Sequence, residues 1–267
     1  MGDLIKNNNF QGISAAFETG ALEELLEEAS RKGGRQSGFK KKKSFAPSSF
    51  YTYGQGVCPR YWYYAFHGAH FEEDVSARNR ASMDSGTAAG ERIANLFRDA
   101  GILKDTEVKV VHDDPPIFGF MDLAVTWQGE DMIGEVKTTT QESFGTRAAS
   151  MQAPGYQLIQ LLIYMYVFQK EKGFFVVENK NTNELLIIPV KMTDERRELV
   201  ENVFEWMRTV KAASDADQLP TRPFTKSSFN CKGCPVRETC WAGTTRRGSK
   251  TDEHPGVIDL PPLEVPK

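Results

Sequence analysis

Residues 115–140, PPIFGFMDLAVTWQGEDMIGEVKTTT, constrain the fold more than any other stretch of the chain. Two runs rich in β-branched and aromatic residues, 117–127 and 132–138, flank the polar turn Gln128-Gly129-Glu130-Asp131, and this pattern predicts a β-hairpin. Charge is expensive inside such a run, because a buried carboxylate needs an opposite charge or a metal. Yet Asp122 lies in the middle of the first run. Glu135 and Lys137 share one face of the second, since side chains alternate across a strand. An isolated E-V-K triplet reads as a solvated surface pair. Within these apolar flanks, two carboxylates and a lysine make a site for a divalent cation held by hard oxygen ligands, with the lysine placed to orient or activate a water.

Gly119-Phe120-Met121-Asp122 followed by Gly134-Glu135-Val136-Lys137-Thr138 resembles the G-x-x-D and E-x-K signature of PD-(D/E)XK nucleases, specifically their RecB-like branch. Gln160-Leu161-Leu162-Ile163-Tyr164 resembles that branch's Q-x-x-x-Y motif, on a helix after the hairpin. Gln160 and Tyr164 stand at i and i+4 and so share a helix face. The resemblance implies an α/β, restriction-endonuclease-like core with a mixed central β-sheet flanked by helices. It also implies roles. Asp122, Glu135 and the backbone carbonyl of Val136 would hold Mg²⁺ or Mn²⁺, Lys137 would position or deprotonate the attacking water, and Gln160 and Tyr164 would touch the DNA backbone or support Lys137. The branch's first motif has the shape G-T-x-x-H-E, with the histidine as a metal ligand. In Gly86-Thr87-Ala88-Ala89-Gly90-Glu91 a glycine stands in the histidine's position. Glu91 either replaces the missing ligand, orients a water, or is a plain helix-surface glutamate.

The four cysteines are Cys58, Cys231, Cys234 and Cys240, one before the hairpin and three in a C-x2-C-x5-C run after it. Four thiolates suit Zn²⁺ or an iron-sulfur cluster, and spacing alone does not separate the two. Disulfides are not expected of an intracellular chain. Cys58-Pro59-Arg60 and Cys231-x2-Cys234-Pro235-x4-Cys240 resemble the opening and closing of the iron staple in CRISPR-associated Cas-four exonucleases, the AddB nuclease domain and eukaryotic replication helicase-nucleases. The resemblance implies a 4Fe-4S cluster tying the ends of the nuclease domain together, with zinc as the alternative occupant.

The 267 residues are 40% hydrophobic, enough for one sizeable core and an appendage. Residues 1–45 read as a flexible appendage with one acidic amphipathic helix over 14–30, stopped by Gly33-Gly34, and the run Lys40-Lys41-Lys42-Lys43 as an arm for phosphates. Residues 46–243 read as the nuclease domain closed by the cysteines, and 244–267, rich in charge, Gly and Pro, as a disordered tail. Within the domain, Asp84 or Ser85 is expected to cap a helix reaching Ala100. A strand over 107–111, a helix over 156–168, strands over 173–178 and 184–188 with a stop at Pro189, and a helix over 193–213 bearing Leu199, Val203, Trp206 and Val210 on one face complete the order.

No apolar run approaches a membrane span and no signal-peptide core is present, so the chain reads as soluble and cytoplasmic, in a bacterial host cell if phage-encoded. A net charge of -3 leaves only a local basic patch for nucleic acid. By resemblance the activity is DNA exonuclease with single-stranded ends as substrate, Arg60, Tyr61 and Trp62 being candidates for base contact. The setting is recombination, replication, repair or CRISPR spacer acquisition. No G-x-x-x-x-G-K-[ST] loop occurs, so a helicase, recombinase or CRISPR integrase would be a separate partner. The rival reading is a catalytically inactive DNA-end-binding or scaffold protein on the same fold, favoured by Gly90.

Overall fold

A computed structural model of the chain describes residues 19–32, 38–50, 54–72, 77–242 and 256–264. It divides into two compact units, one of residues 1–37 and 73–85 and the other of 38–72 and 86–267. In the first, α1 (Thr19–Lys32) is the acidic helix, with Leu22, Leu25 and Leu26 exposed. Residues 14–18 and the glycine stop at 33–34 lie outside the described residues.

The second unit opens with β1 (Gly38–Phe39), α2 (Pro59–His67) and β2 (His70–Phe71), and is joined from the first by α3 (Ala77–Asp99). Pro59 at the first helical position and left-handed Gly68 at the end bound α2. Lys40–Lys43, expected as a flexible arm, is instead tied down. The Lys40 N–H donates to the Ala69 carbonyl at 3.2 Å and the Lys42 N–H to Ala65 at 2.8 Å. Phe45 follows, fully buried, its ring 4.6 Å from Trp62 and 5.1 Å from Phe66 between centroids. Asp84 and Ser85 do not cap a helix, because α3 has already begun at Ala77. Asp84 pairs with Arg80 one turn back at 3.3 Å and the Ser85 hydroxyl donates to the Ala81 carbonyl at 2.8 Å, so neither polar group breaks the helix.

Five strands make the central sheet, in the spatial order β3 (Leu103–His112), β4 (Ile117–Trp127), β5 (Glu130–Thr139), β6 (Lys172–Asn179), β7 (Leu185–Lys191). All neighbours are antiparallel except β5 and β6, so the sheet is mixed. The β4–β5 turn needs only Gln128 and Gly129, both with positive φ (52° and 81°), the pair of left-handed residues that suits a twisted hairpin. Parallel neighbours need a long crossover, here α4 (Gln141–Ser150) and α5 (Gly155–Val167). β7 runs on through Pro189, where a stop was expected, because it is an edge strand and a missing N–H can face away from the ladder.

Alternate residues of β6 enter different apolar layers. Phe175 and Val177 join the larger core with α2, α5 and α6 (Asp194–Asp215), whereas Phe174 and Val176 join a smaller one with Leu123, Val125 and Ile93 and Ala94 of α3. Helices therefore flank the sheet on both faces, and β6, beside its parallel neighbour, is buried along nearly its whole length. On α6 the residues at helical spacing, Val200, Val203, Phe204, Met207 and Val210, are all buried; the expected Leu199 and Trp206 flank them, partly buried.

Beyond α6 come β8 (Leu219–Pro220), α7 (Phe229–Lys232), α8 (Arg237–Trp241) and β9 (Val257–Ile258). The tail was expected to be disordered, but residues 256–264 form a strap on the core. β9 pairs with β8, the Leu263 N–H donates to the Val57 carbonyl at 2.8 Å, the Trp206 indole N–H donates to Pro261 O at 3.0 Å, and Leu260 and Leu263 are buried. Prolines and charges hid these apolar residues from any periodicity. Among the described residues no helix is long and apolar enough to cross a membrane.

Candidate active site

The β4–β5 ladder runs in register only as far as Leu123 opposite Gly134, so the strands part where Asp122 and Glu135 face one another. Asp122 uses the gap: its Oδ2 accepts a hydrogen bond from the Val136 N–H at 2.7 Å. Two glycines permit the packing around this fork. A Cβ on Gly119 would stand 2.6 Å from the Tyr164 hydroxyl, and one on Gly134 would stand 2.6 Å from the Phe174 ring. Both belong to the G-x-x-D and G-E-V-K stretches and allow close approach.

Glu135 is 2% exposed. Its Oε1 accepts from Lys137 Nζ at 2.7 Å and from Gln160 Nε2 at 2.8 Å, while Oε2 is buried without a hydrogen-bond partner. Lys137 also reaches Gln160 Oε1 at 3.5 Å. Gln160 and the almost fully buried Tyr164 come from one face of α5, as their spacing requires. The structure thus brings together Asp122, Glu135, Val136, Lys137, Gln160 and Tyr164.

Burial raises the Glu135 carboxyl to about 7; Lys137 opposes the rise and the charge of Asp122 adds to it. Asp122 is raised by burial too, against the pull of Lys137, of the Val136 N–H and of a hydrogen bond to the Glu135 carboxyl, so the two carboxyls lie within reach of one shared proton. Burial and the nearby carboxylate of Glu135 push the Tyr164 phenol up, so it stays a neutral donor. Two carboxyls each held toward protonation, one with an unsatisfied buried oxygen, fit a hard divalent cation, which would replace the proton and complete the coordination of Oε2. Among the described residues, no group of three or more His, Cys, Asp or Glu side chains is placed to hold a metal ion.

Glu91 is not drawn into this cluster. It is exposed on α3, and no hydrogen bond or ion pair among the described residues joins it to Asp122 or Glu135. Its neighbour Arg92 anchors the helix instead, donating to both carboxylate oxygens of buried Glu178 at 2.7 and 2.6 Å. Glu107 is the carboxylate that sequence reasoning missed. The pairs Thr106–Leu123 and Val108–Met121 put it opposite Asp122, whose charge helps burial raise its pKa. It has φ of 50°, a strained conformation for glutamate, and strain of this kind gathers at functional sites. Only the β3–β4 register could have revealed it.

Arg60, Tyr61 and Trp62 were expected to reach DNA and do not: they are 1%, 4% and 0% exposed. Arg60 donates to the Pro220 carbonyl at 2.7 Å and Trp62 to the Gly56 carbonyl at 2.7 Å, so their polar atoms serve the core. The four cysteines, carried by the start of α2, by α7, by the link after it and by α8, come near enough to feel one another's charge. Burial pushes the Cys58 thiol up to about 12 and raises Cys234 and Cys240 as well, while Arg60 and Arg222 hydrogen-bond the Cys240 sulfur and oppose its rise.

A family model described as the PD-(D/E)XK nuclease superfamily matches residues 87–241. No curated protein matches the chain. Among solved structures, SSO0001 matches over 84% of this chain and 98% of its own, at 16% identity and a TM-score of 0.44. An alkaline exonuclease from Laribacter hongkongensis, LHK-Exo, matches over 65% of this chain and 90% of its own, at 11% identity and a TM-score of 0.48. Its complex with dAMP matches over 61% and 77%, at 15% identity and a TM-score of 0.45.

Proposed function

This chain belongs to the PD-(D/E)XK nuclease superfamily, and on that footing we propose that it is a divalent-metal-dependent DNA exonuclease of the RecB-like branch, working from single-stranded ends. The observation that carries the reading is the unsatisfied, buried Oε2 of Glu135, facing Asp122 and sharing a carboxylate with Lys137 and Gln160. Lys137 already pairs with Oε1, and the buried Oε2 beside Asp122 is the oxygen left for a metal, which a nuclease needs there.

Asp122, Glu135 and the Val136 carbonyl would hold Mg²⁺ or Mn²⁺, which supplies stabilisation of the charge that builds on the scissile phosphate. Lys137, held by Glu135 and Gln160, positions the attacking water and shares its proton. Gln160 fixes the carboxylate and the ammonium in one plane of contact, and Tyr164 backs it from the core. Asp122 keeps the fork open by occupying the Val136 N–H. Glu107 adds negative charge at the rim.

The cysteines are proposed to be a 4Fe-4S staple, with zinc as the alternative. The support is chemical: the four thiols are near enough to feel one another's charge although they do not form a ready-made ligand set, and the guanidinium groups of Arg60 and Arg222 on Cys240 suit an anionic cluster. Recombination, replication, repair and spacer acquisition are the settings such an exonuclease would serve. The inactive scaffold reading rests on Gly90, which supplies no side chain where the family has its histidine; a Cβ there would meet nothing within 4 Å.

The test is degradation of end-labelled single- and double-stranded DNA with Mg²⁺ or Mn²⁺ by anaerobically purified protein, beside Glu135→Ala and Lys137→Ala. Loss of DNA with the wild type alone is expected, together with broad brown absorbance from the cluster. Binding without cleavage under either metal would establish the scaffold reading instead, and a colourless, zinc-loaded protein would replace the cluster.

A further inference from the structure

The helix that follows the E-x-K strand has almost no apolar stripe. α4 reads QESFGTRAAS, yet its Arg147 is 94% withdrawn from solvent, being 6% exposed. Arginine is among the residues least often buried without a partner carboxylate. Arg147 has none: Nη1 donates to the Gln157 carbonyl oxygen Oε1 at 2.9 Å, and Nε is buried without a hydrogen-bond partner. Burial consequently lowers its pKa, although a guanidinium stays charged.

The guanidinium lines a cavity of about 460 Å³ whose wall is hydroxyl-rich. Thr140, Ser143, Arg147 and Ser150 recur at helical spacing along α4, with Thr146 and Glu142 at the rim; Gln152, Ala153 and Pro154 of the link to α5 close the other side. The cavity adjoins the candidate active site through α5. Gln157, which holds Arg147, lies three residues before Gln160, and Gln160 holds Glu135 and Lys137. Gln157 and Gln160 are thus about one helical turn apart on α5, which links the two sets of contacts.

We propose that this cavity is a phosphate-binding subsite for the nucleic acid strand, in which Arg147 supplies a charged fork and the α4 hydroxyls supply further donors to the phosphate next to the scissile one. This rests on the nuclease reading of the neighbouring site. A bidentate guanidinium matches phosphate geometry, and an uncompensated buried cation gains most from an anion arriving from solvent. Glu142 at the rim works against the anion and moderates its hold. The phosphate is either an internal diester or the monoester at a strand end.

The experiment is fluorescence anisotropy of a labelled single-stranded oligonucleotide with the full chain in Ca²⁺ over a salt series, for wild type, Arg147→Gln and Arg147→Lys. Arg147→Gln is expected to bind about tenfold more weakly, with a salt slope shallower by about one phosphate contact, and Arg147→Lys to recover part of the loss. Oligonucleotides with a 5′-phosphate and with a 5′-hydroxyl separate the sources: a loss confined to the phosphorylated strand assigns the terminal group, and an equal loss assigns an internal one. Undiminished affinity and slope in Arg147→Gln overturn the subsite while leaving the nuclease intact. Wild type that neither binds nor degrades DNA takes down the nuclease reading itself. Should Arg147→Gln fail to fold by circular dichroism, Glu142→Gln on the exposed rim carries the test: binding about two- to threefold tighter supports the subsite, and no change overturns it.

Discussion

At Glu135 the low dielectric of the core and the nearness of Asp122 outweigh the attraction of Lys137, so the carboxyl is held at about 7 rather than 4.5. A carboxyl whose pKa rises on folding stabilises the folded chain fully below its unfolded value, and the contribution is lost as pH climbs through the folded one. For Glu135 that window runs from 4.5 to about 7. Two outcomes follow. A divalent ion must displace this proton below about 7, so the rise in Tm on adding Mn²⁺ should be larger near about pH 8 than near about pH 6, and chelation should reverse it. Glu135→Gln removes a carboxylate whose burial outweighs the attraction of Lys137, so in the presence of chelator near about pH 8 it should melt no lower than wild type while losing both the Mn²⁺ response and DNA degradation. A Tm gain from Mn²⁺ that survives in Glu135→Gln would place the ion elsewhere.

Elements meet at the active site through glycine. β4 can pass over α5 only because Gly119 leaves room for the Tyr164 hydroxyl, 2.6 Å from where a Cβ would be. Tyr164 is buried and cannot swing aside. Gly119→Ala should therefore cost about 1–3 kcal/mol and lower the rate as well, because displacing Tyr164 moves Gln160 and with it Glu135. Gly90 in α3 is the contrasting case. Nothing lies within 4 Å of a Cβ there, so Gly90→Ala should raise stability by about 0.5–1 kcal/mol through helix propensity alone. Paired thermal melts of the two variants check both signs; a destabilised Gly90→Ala would mean that the helix needs the glycine for something other than space.

The larger unit closes on itself through its two chain ends. Phe45 and Trp62 pack together near one end, while Leu260 and Leu263 cover the core from the other, the latter bonded to Val57 beside Cys58. The strap thus restrains the region that carries Cys58. Leu263→Ala should lower stability by about 2 kcal/mol, the low end of a buried leucine truncation since the site borders solvent. Truncation after residue 242 should leave DNA cleavage measurable while lowering Tm in parallel, checked by a melt beside a degradation assay. An unchanged Tm would mean that the strap rests on the core without holding it.

The elements whose periodicity is complete within one segment were legible in the sequence by itself: the 117–139 hairpin, α5 with Gln160 and Tyr164 on one face, α6, and the alternation that puts Glu135 and Lys137 together. The pairing of Asp122 with the E-x-K strand was legible for the same reason, since a hairpin brings its own strands together. What lay across elements was decided only by the tertiary structure. Glu107 reaches Asp122 through the β3–β4 register, Arg147 is held by Gln157 of α5, and Arg60, Tyr61 and Trp62 turn inward because Pro220 takes the guanidinium and the rings of Phe45, Phe66 and Phe71 pack on the two aromatics. Glu91 and Arg92 are adjacent on one helix, and only the position of Glu178 on β6 decided which of them the fold uses. The physical reason is one: a chain's local pattern sets which way side chains can point, but the cost of burying a charge depends on what stands opposite, and that neighbour comes from elsewhere in the sequence.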